Sequence, residues 1–347
     1  MTAQSESDRA RGALYGLAVG DALGMPTQLL SPAEVDRRFG SISWFQSPPD
    51  DHPIAAGMPV GHITDDTEQA LLIARLLIDG RGHIDALTLA KSLAEWERDM
   101  ARRGSLDLLG PSTQRAISAV AAGISVDEAG RFGDTNGAAM RVAPVGIAMP
   151  VDDFDGLLQA VVEASGVTHN TTVALAGAFA VAAAVSAGIA GASVEEAIAI
   201  GASAAQEGRS HGSWVAGADV AARIEAALAG VTGLAHDELV LFIRNVVGTS
   251  VATQESVPAA FAVLRSSGDG QAWDACLLAA SLGGDSDTIA AIVGAIAGAC
   301  QGVAAFPKDA LDLVKAVNKL ELEPICDELL QLRRRHDPGV SANAATS

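Results

Sequence analysis

Two short runs of the sequence hold residue types that can do chemistry. Thr64-Asp65-Asp66-Thr67 opens an apolar stretch that ends near Asp79. Asp285-Ser286-Asp287-Thr288 opens another that runs to Gly302. One Asp or Thr at such a place caps a helix, because its oxygen accepts from orphan N–H groups and suits the positive end of the dipole. Two adjacent carboxylates exceed what capping needs, and they repel each other. Two clusters of the same make-up point to a shared positive charge. Carboxylate and hydroxyl oxygens are hard ligands that suit Mg²⁺ or Mn²⁺ rather than Zn²⁺. Two such clusters can surround two ions in a binuclear site. On spacing alone, capping and metal binding both stay open, and one residue can do both.

The elements that must position these residues read as helices. Apolar residues recur at helical spacing over Arg9–Gly20, Asp65–Asp79, Ala86–Met100, Ser112–Ala122, Asp155–Ser165, Thr171–Ala187, Val194–Ala205 and Ala216–Ala229. The same spacing covers Asp237–Val247, Ser256–Ser266, Ala272–Ala280, Asp287–Gly302, Lys308–Asn318 and Glu323–Arg335. No stretch of four residues reads as a strand, so the expectation is all-α. No linker-like shift divides the chain. A compact single-domain helix bundle over residues 1–340 is expected, with a frayed tail at 341–347. Three Gly- and Pro-rich loops stand out: Ser41–Ile63, with four prolines, Gly130–Gly146 and Glu207–Gly217. Loops of this length are more often functional than idle.

Composition narrows the function classes. Hydrophobic residues make up 49 % of the 347 residues and aromatics only 4 %, so small side chains must let helices pack closely. The formal net charge of −19 repels phosphate backbones and argues against a nucleic-acid partner. Cys276, Cys300 and Cys326 lack C-x-x-C spacing and read as buried thiols of a reducing compartment. The polar N-terminus lacks the order of a signal peptide, and a cytoplasmic protein is expected. Val173–Ala205 and Ile289–Phe306 imitate membrane spans. Their Ala and Gly content, and Glu195, Glu196, Asp285 and Asp287, favour core helices, so no membrane partner is expected. An aspartate-rich prenyl diphosphate enzyme fits poorly. The aromatics are too few to line a carbocation cavity, and no second Asn/Asp-Ser-Glu ligand motif is present.

Five segments together resemble the ADP-ribosylglycohydrolase superfamily. They are GALYGLAVGDALGMPTQ (Gly12–Gln28), ITDDTEQALL (Ile63–Leu72), GDTNGAAMRVAPVG (Gly133–Gly146), VTHNTTVALAGA (Val167–Ala178) and LGGDSDTIAAIVGAIAGACQG (Leu282–Gly302). The resemblance implies an all-α fold around two Mg²⁺ ions, with Mn²⁺ as the alternative. It implies Thr64, Asp65, Asp66, Asp285, Asp287 and Thr288 as ligands. The implied reaction is cleavage at C1 of ADP-ribose, on a protein side chain or a related ADP-ribose compound. Positive charge builds at C1 in such a reaction, and a carboxylate can position or deprotonate the attacking water. Asp66 and Asp285 are the two candidates for that role. Many relatives carry Glu where this chain has Gln28, and an amide cannot serve as a carboxylate base.

The remaining candidates concern the substrate. Asn136 and Gly137 suit close approach to ribose hydroxyls, with Met140 beside them. Arg141 is a surface ion pair by residue type alone, and a bidentate partner for a diphosphate by the resemblance. Asp134 contacts ribose or caps its turn. His169, by its place near a helix start, reads as a hydrogen-bonded structural residue; the resemblance implies that it contacts ligand or orients the site, and it is not expected to bind metal. Asp21 reads as a buried hydrogen-bonding residue. His62 stands beside the first cluster, Ser41–Gly61 reads as a lid, and His211 and Trp214 are candidates to meet the adenine or a leaving group, with Trp214 equally placed as a core residue. Three functions remain open: an ADP-ribosyl hydrolase, a hydrolase of a smaller ribosyl metabolite, and a non-catalytic ADP-ribose sensor.

Overall fold

The structure, a computed structural model, describes residues 5–106 and 109–336; the expected tail at 341–347 lies outside them. Its elements are helices, and no strand occurs among the described residues. Two isolated bridges, Thr135 with Ala252 and Thr171 with Ser213, are the extended pairings present.

The N-terminal helix, Glu6–Gly24, begins where the Ser5 side chain accepts from Asp8 N at 3.1 Å. It packs along the late acidic helix, Ser286–Gln301, more extensively than any other pair. The reason lies in the sequence. Gly12, Gly16, Gly20 and Gly24 fall four residues apart, on one helical face. A Cβ on Gly12, Gly16 or Gly20 would stand 2.0–2.2 Å from the backbone oxygens of Gly298, Gly294 and Ala290. One on Gly24 would stand 2.4 Å from Asp287 Cα. With no side chain between them the two backbones touch, and the last contact fixes where Asp287 sits.

The central helix, Thr172–Ala190, is capped by Thr171 and ended by Gly191 in the left-handed region. It is long and apolar enough to cross a membrane, yet 94 % of that apolar window is buried by the rest of the protein. It packs against Val194–Gly208, Phe154–His169 and the late acidic helix. Surface helices such as Ala86–Arg102 and Lys308–Asn318 bury one stripe and leave charged faces in water.

The early acidic helix spans Asp65–Asp79, and three helices keep both of their expected ends. Others extend by a turn: Phe154–His169 takes in the segment up to His169. The expected loop Gly130–Gly146 holds two short helices, Gly137–Met140 and Ala143–Ala148. Asp237–Val247, expected as one helix, divides into His236–Phe242 and a π-turn, Ile243–Val247, that ends at Gly248. Pro32–Arg38 and Val126–Ala129 are short helices that the periodicity did not reveal. Elements of four to seven residues complete too few turns to display a period.

Candidate active site

The two acidic clusters meet. Asp65, Asp66, Asp285, Asp287 and Thr288 line one cavity of about 140 Å³. Thr288 Oγ1 donates to Asp66 Oδ2 at 3.3 Å, joining residues 222 apart in sequence. The cavity is closed by Gln28, Thr113, Thr135, Asn136, Gly137, Met140, Val251 and neighbouring backbone. Among the described residues, no Lys, Arg or His lines it.

Local hydrogen bonds fix the first cluster. Thr64 is the N-cap of the early helix and accepts from Asp66 N at 3.4 Å. Asp21, fully buried on the N-terminal helix, accepts from Thr64 N and from Thr64 Oγ1 at 2.8 Å. It also accepts from Thr67 N at 3.2 Å and from Thr67 Oγ1 at 2.5 Å. Burial pushes the Asp21 carboxyl up to about 6, with these donors pulling against it. Its expected hydrogen-bonding role thus ties the first cluster to the glycine-rich helix. Asp65 Oδ2 accepts from Gln69 Nε2 at 2.8 Å, one turn on.

The second cluster hangs on a loop. Gly284, at φ +69°, lets the chain turn, and Asp285 N donates to Thr249 O at 2.7 Å. Asp285 Oδ2 accepts from Asn136 Nδ2. Burial raises the Asp285 carboxyl above its ordinary range, and the hydrogen bonds from Asn136 and Thr288 oppose that rise. Asn136 Nδ2 also donates to Ser256 Oγ at 2.9 Å. A carboxylate only accepts, so the amide must present nitrogen here. Its Oδ1 is then the atom able to meet a ligand hydroxyl.

Other expected residues lie behind the cavity. Arg141 is 1 % exposed and does not reach it. It is neither a surface ion pair nor placed for a diphosphate. Its guanidinium points into the core, donating to Gln69 Oε1 at 3.1 Å and Thr168 Oγ1 at 2.7 Å. Burial brings it down to about 10, with Asp65 favouring the charge. His169 is also enclosed, between Thr168 and Thr135. A Cβ on Gly137 would come within 2.9 Å of its ring, so only glycine fits there. Asp134 does not line the cavity; its carbonyl accepts from Thr253 N and Oγ1. Thr64 sits one layer behind Asp66.

The Ser41–Gly61 loop contributes Ile54 to the wall. His52 clamps that loop. Its Nδ1 accepts from Ala55 N at 2.9 Å, so Nε2 must carry the proton given to Gln28 O at 2.8 Å. His62 hydrogen-bonds Ile63 O and does not line the acidic cavity. His211 and Trp214 stand apart from it too, and Trp214 is 79 % exposed rather than part of the core. Sequence reading missed Thr249, Val251 and Ser256, on the loop after the π-turn and the next helix. It also missed Thr113 and Thr135. Only the position of Thr135 inside a Gly-rich loop could have flagged it.

The donor types fit hard cations: every polar cavity atom named is oxygen or amide, and four carboxylates line the one cavity. Among the described residues, however, no three His, Cys, Asp or Glu side chains converge to hold one ion by themselves. Hydroxyl oxygens and water would have to complete any such shell.

Comparison with known proteins places this architecture. The profile of the ADP-ribosylglycohydrolase family matches residues 2–339. The chain is 35 % identical over 338 residues to the uncharacterized protein YegU of Escherichia coli K12, covering 96 % of this chain and 99 % of that one. It is 31 % identical over 183 residues to the ADP-ribosyl-[dinitrogen reductase] glycohydrolase of Rhodospirillum rubrum, covering 49 % of this chain and 54 % of that one. It is 27 % identical over 347 residues to the ADP-ribosylarginine hydrolase Tri1 of Pseudomonas putida GB-1, covering 95 % and 82 %. A solved structure, an ADP-ribosylglycohydrolase-related protein complex, superposes with a TM-score of 0.67 at 25 % identity, covering 94 % of this chain and 99 % of that one. A helical fold that draws two distant acidic clusters into one cavity, matched along its whole length, makes this chain a member of the ADP-ribosylglycohydrolase family, a family of glycosyl hydrolases.

Proposed function

We propose that this protein is a divalent-metal-dependent hydrolase that cleaves the C1 glycosidic bond of ADP-ribosyl groups, N- or O-linked, on protein or small-molecule acceptors. The observation that carries the reading is the Thr288–Asp66 contact, which brings both acidic clusters to one cavity. Asp65, Asp66, Asp285, Asp287 and Thr288 would hold Mg²⁺, or Mn²⁺, as two ions, and Thr64, expected among the ligands, would instead fix Asp66 from behind. Bound cations would neutralise the carboxylates, polarise ribose oxygens and make an attacking water more acidic.

The chain's own groups account for the rest. Asn136 would orient a ribose hydroxyl through Oδ1. Either Asp66 or Asp285 would take the proton of the attacking water, both being buried, Asp66 fixed by the Thr288 hydroxyl and Asp285 by the Asn136 amide. Gln28, 4 % exposed and with no hydrogen-bond partner for Nε2, lines the cavity as a neutral donor. It would satisfy that donor on a substrate oxygen, while Gly137 and Met140 form the floor. Arg141 and His169 support the wall from behind. The cytoplasm is the proposed location, consistent with three buried, unpaired cysteines.

One observation favours a second reading. At about 140 Å³ the cavity falls below the roughly 300–1,000 Å³ of typical ligand pockets. It suits a ribosyl unit, so a smaller nucleoside or ribosyl metabolite is the rival substrate. A product assay with ADP-ribosyl-arginine, ADP-ribosyl-serine, O-acetyl-ADP-ribose and a nucleoside decides between them. Release of free ADP-ribose, lost in EDTA and restored by Mg²⁺ or Mn²⁺, is expected. Asp65→Asn with Asp66→Asn should abolish Mn²⁺ binding by calorimetry and reduce turnover by at least about 10³-fold, with the helical spectrum retained. Full activity in that double variant would overturn the proposal. Tight ADP-ribose binding without turnover of any compound would instead identify a sensor.

A further inference from the structure

Behind the cavity wall, four buried side chains form one hydrogen-bonded arc between Asp65 and Thr135. Gln69 Nε2 donates to Asp65, and Gln69 Oε1 accepts from Arg141 Nη1. Arg141 Nη2 donates to Thr168 Oγ1 at 2.7 Å. Thr168 Oγ1 lies 2.7 Å from His169 Nδ1, and His169 Nε2 lies 3.1 Å from Thr135 Oγ1. Gln69, Arg141, Thr168 and His169 are each essentially out of solvent.

A guanidinium donates and never accepts, so it sets the direction of every proton in the arc. Gln69 must turn its carbonyl to Arg141, which leaves its NH₂ for Asp65. Thr168 must accept from Arg141, and its single proton has two possible acceptors. One is His169 Nδ1 at 2.7 Å; the other is Ser165 O at 3.2 Å. The shorter contact favours Nδ1. Electrostatics favours it too, since a lone pair facing the guanidinium is stabilised and an N–H there is repelled. Burial, with Arg141 and Arg115 adding to it, holds the imidazole well below its ordinary value and therefore neutral. The ring proton then lies on Nε2 and is given to Thr135 Oγ1. Thr135, which lines the cavity, keeps its own proton for a partner on the cavity side.

We propose that Arg141 is a positioning residue that orders the protons of two cavity walls: through Gln69 it holds Asp65, and through Thr168 and His169 it presents Thr135 as an outward hydroxyl donor to an acceptor oxygen of the bound ligand. The ligand end of this inference rests on the ribosyl-hydrolase reading. The proton order does not, because it concerns the free protein.

Long-range ¹H–¹⁵N correlation spectra of the ¹⁵N-labelled protein test the order directly, with His169→Gln identifying the signals. A neutral ring protonated on Nε2 and bare on Nδ1 is expected in neutral buffer. A ring protonated on Nδ1, or a charged ring, overturns the proposal whatever the substrate proves to be. Arg141→Lys keeps the charge but offers one nitrogen where the guanidinium reaches two acceptors from Nη1 and Nη2. It should shift the tautomer towards a mixture and raise KM by about ten-fold. Thr135→Val should raise KM about ten-fold with kcat changed less and thermal midpoint unaltered, and Thr135→Ser should restore it. Wild-type KM in Thr135→Val would remove Thr135 from ligand binding and overturn the ligand end.

Discussion

Asp21 shows how much a single side chain can decide. It lies outside both acidic clusters in sequence, yet it takes four hydrogen bonds from Thr64 and Thr67 in full burial. Asp21→Asn would set an NH₂ against these donors and leave buried groups unsatisfied. A loss of about 2–4 kcal/mol is expected in urea denaturation, together with weaker Mn²⁺ binding. Unchanged stability would show that the early helix is held without it. Gln28 makes the complementary case. Gln28→Glu would add a carboxylate to a cavity that already has four, so tighter Mn²⁺ binding and a changed pH–rate profile are expected. Coincident metal and pH profiles would place Gln28 away from the chemistry. Arg141 marks what residue type could not reveal. Residue type pointed this arginine to solvent and the resemblance pointed it to a ligand, whereas packing turned it inward.

Between elements, the governing contact is the glycine face shared by Glu6–Gly24 and Ser286–Gln301. The periodicity of the two helices was legible, because it depends on residues three or four apart; the Ser5 cap of the first was not read, and Asp285 leads the second without a side-chain cap hydrogen bond. Their partnership was not, because it depends on backbones meeting across the whole chain. Gly20→Ala places a Cβ 2.0 Å from Ala290 O, which neither rigid backbone can vacate. Differential scanning calorimetry should show a loss of about 1–3 kcal/mol, and Mn²⁺ affinity should fall because the late cluster shifts with its helix. Gly166→Ala is the control. It lies inside Phe154–His169 with Val162 Cγ1, at 4.0 Å, as its nearest contact. Relief of the glycine's helical penalty should stabilise by about 0.5–1 kcal/mol. Equal effects at the two positions would refute the close-packing account.

At the scale of the molecule, the C-terminal helix Glu323–His336 closes the bundle against its first helix. Glu323 accepts from Tyr15 Oη at 2.8 Å and Lys315 Nζ at 2.7 Å, with Lys315 also over the Tyr15 ring. Burial alone would raise the Glu323 carboxyl, but these donors outweigh it and bring it to about 2, from 4.5. A depressed carboxyl stabilises the fold above its unfolded value and loses that contribution as pH falls from 4.5 towards 2. Urea midpoints measured across this window should drop less steeply in Glu323→Gln than in wild type. Parallel curves would assign acid sensitivity elsewhere. Because Glu323 is partly exposed, the effect should shrink in high salt.

The sequence by itself determined that the described chain forms helices rather than strands, roughly where the long ones run, and which oxygen donors lead the two acidic ones, since amphipathic periods act within a few residues. Tertiary structure alone decided that Thr288 reaches Asp66, that Thr249 and Asn136 hold Asp285, and that Arg141 faces the core. Those outcomes depend on how closely two distant backbones approach, and only the assembled glycine contacts set that distance.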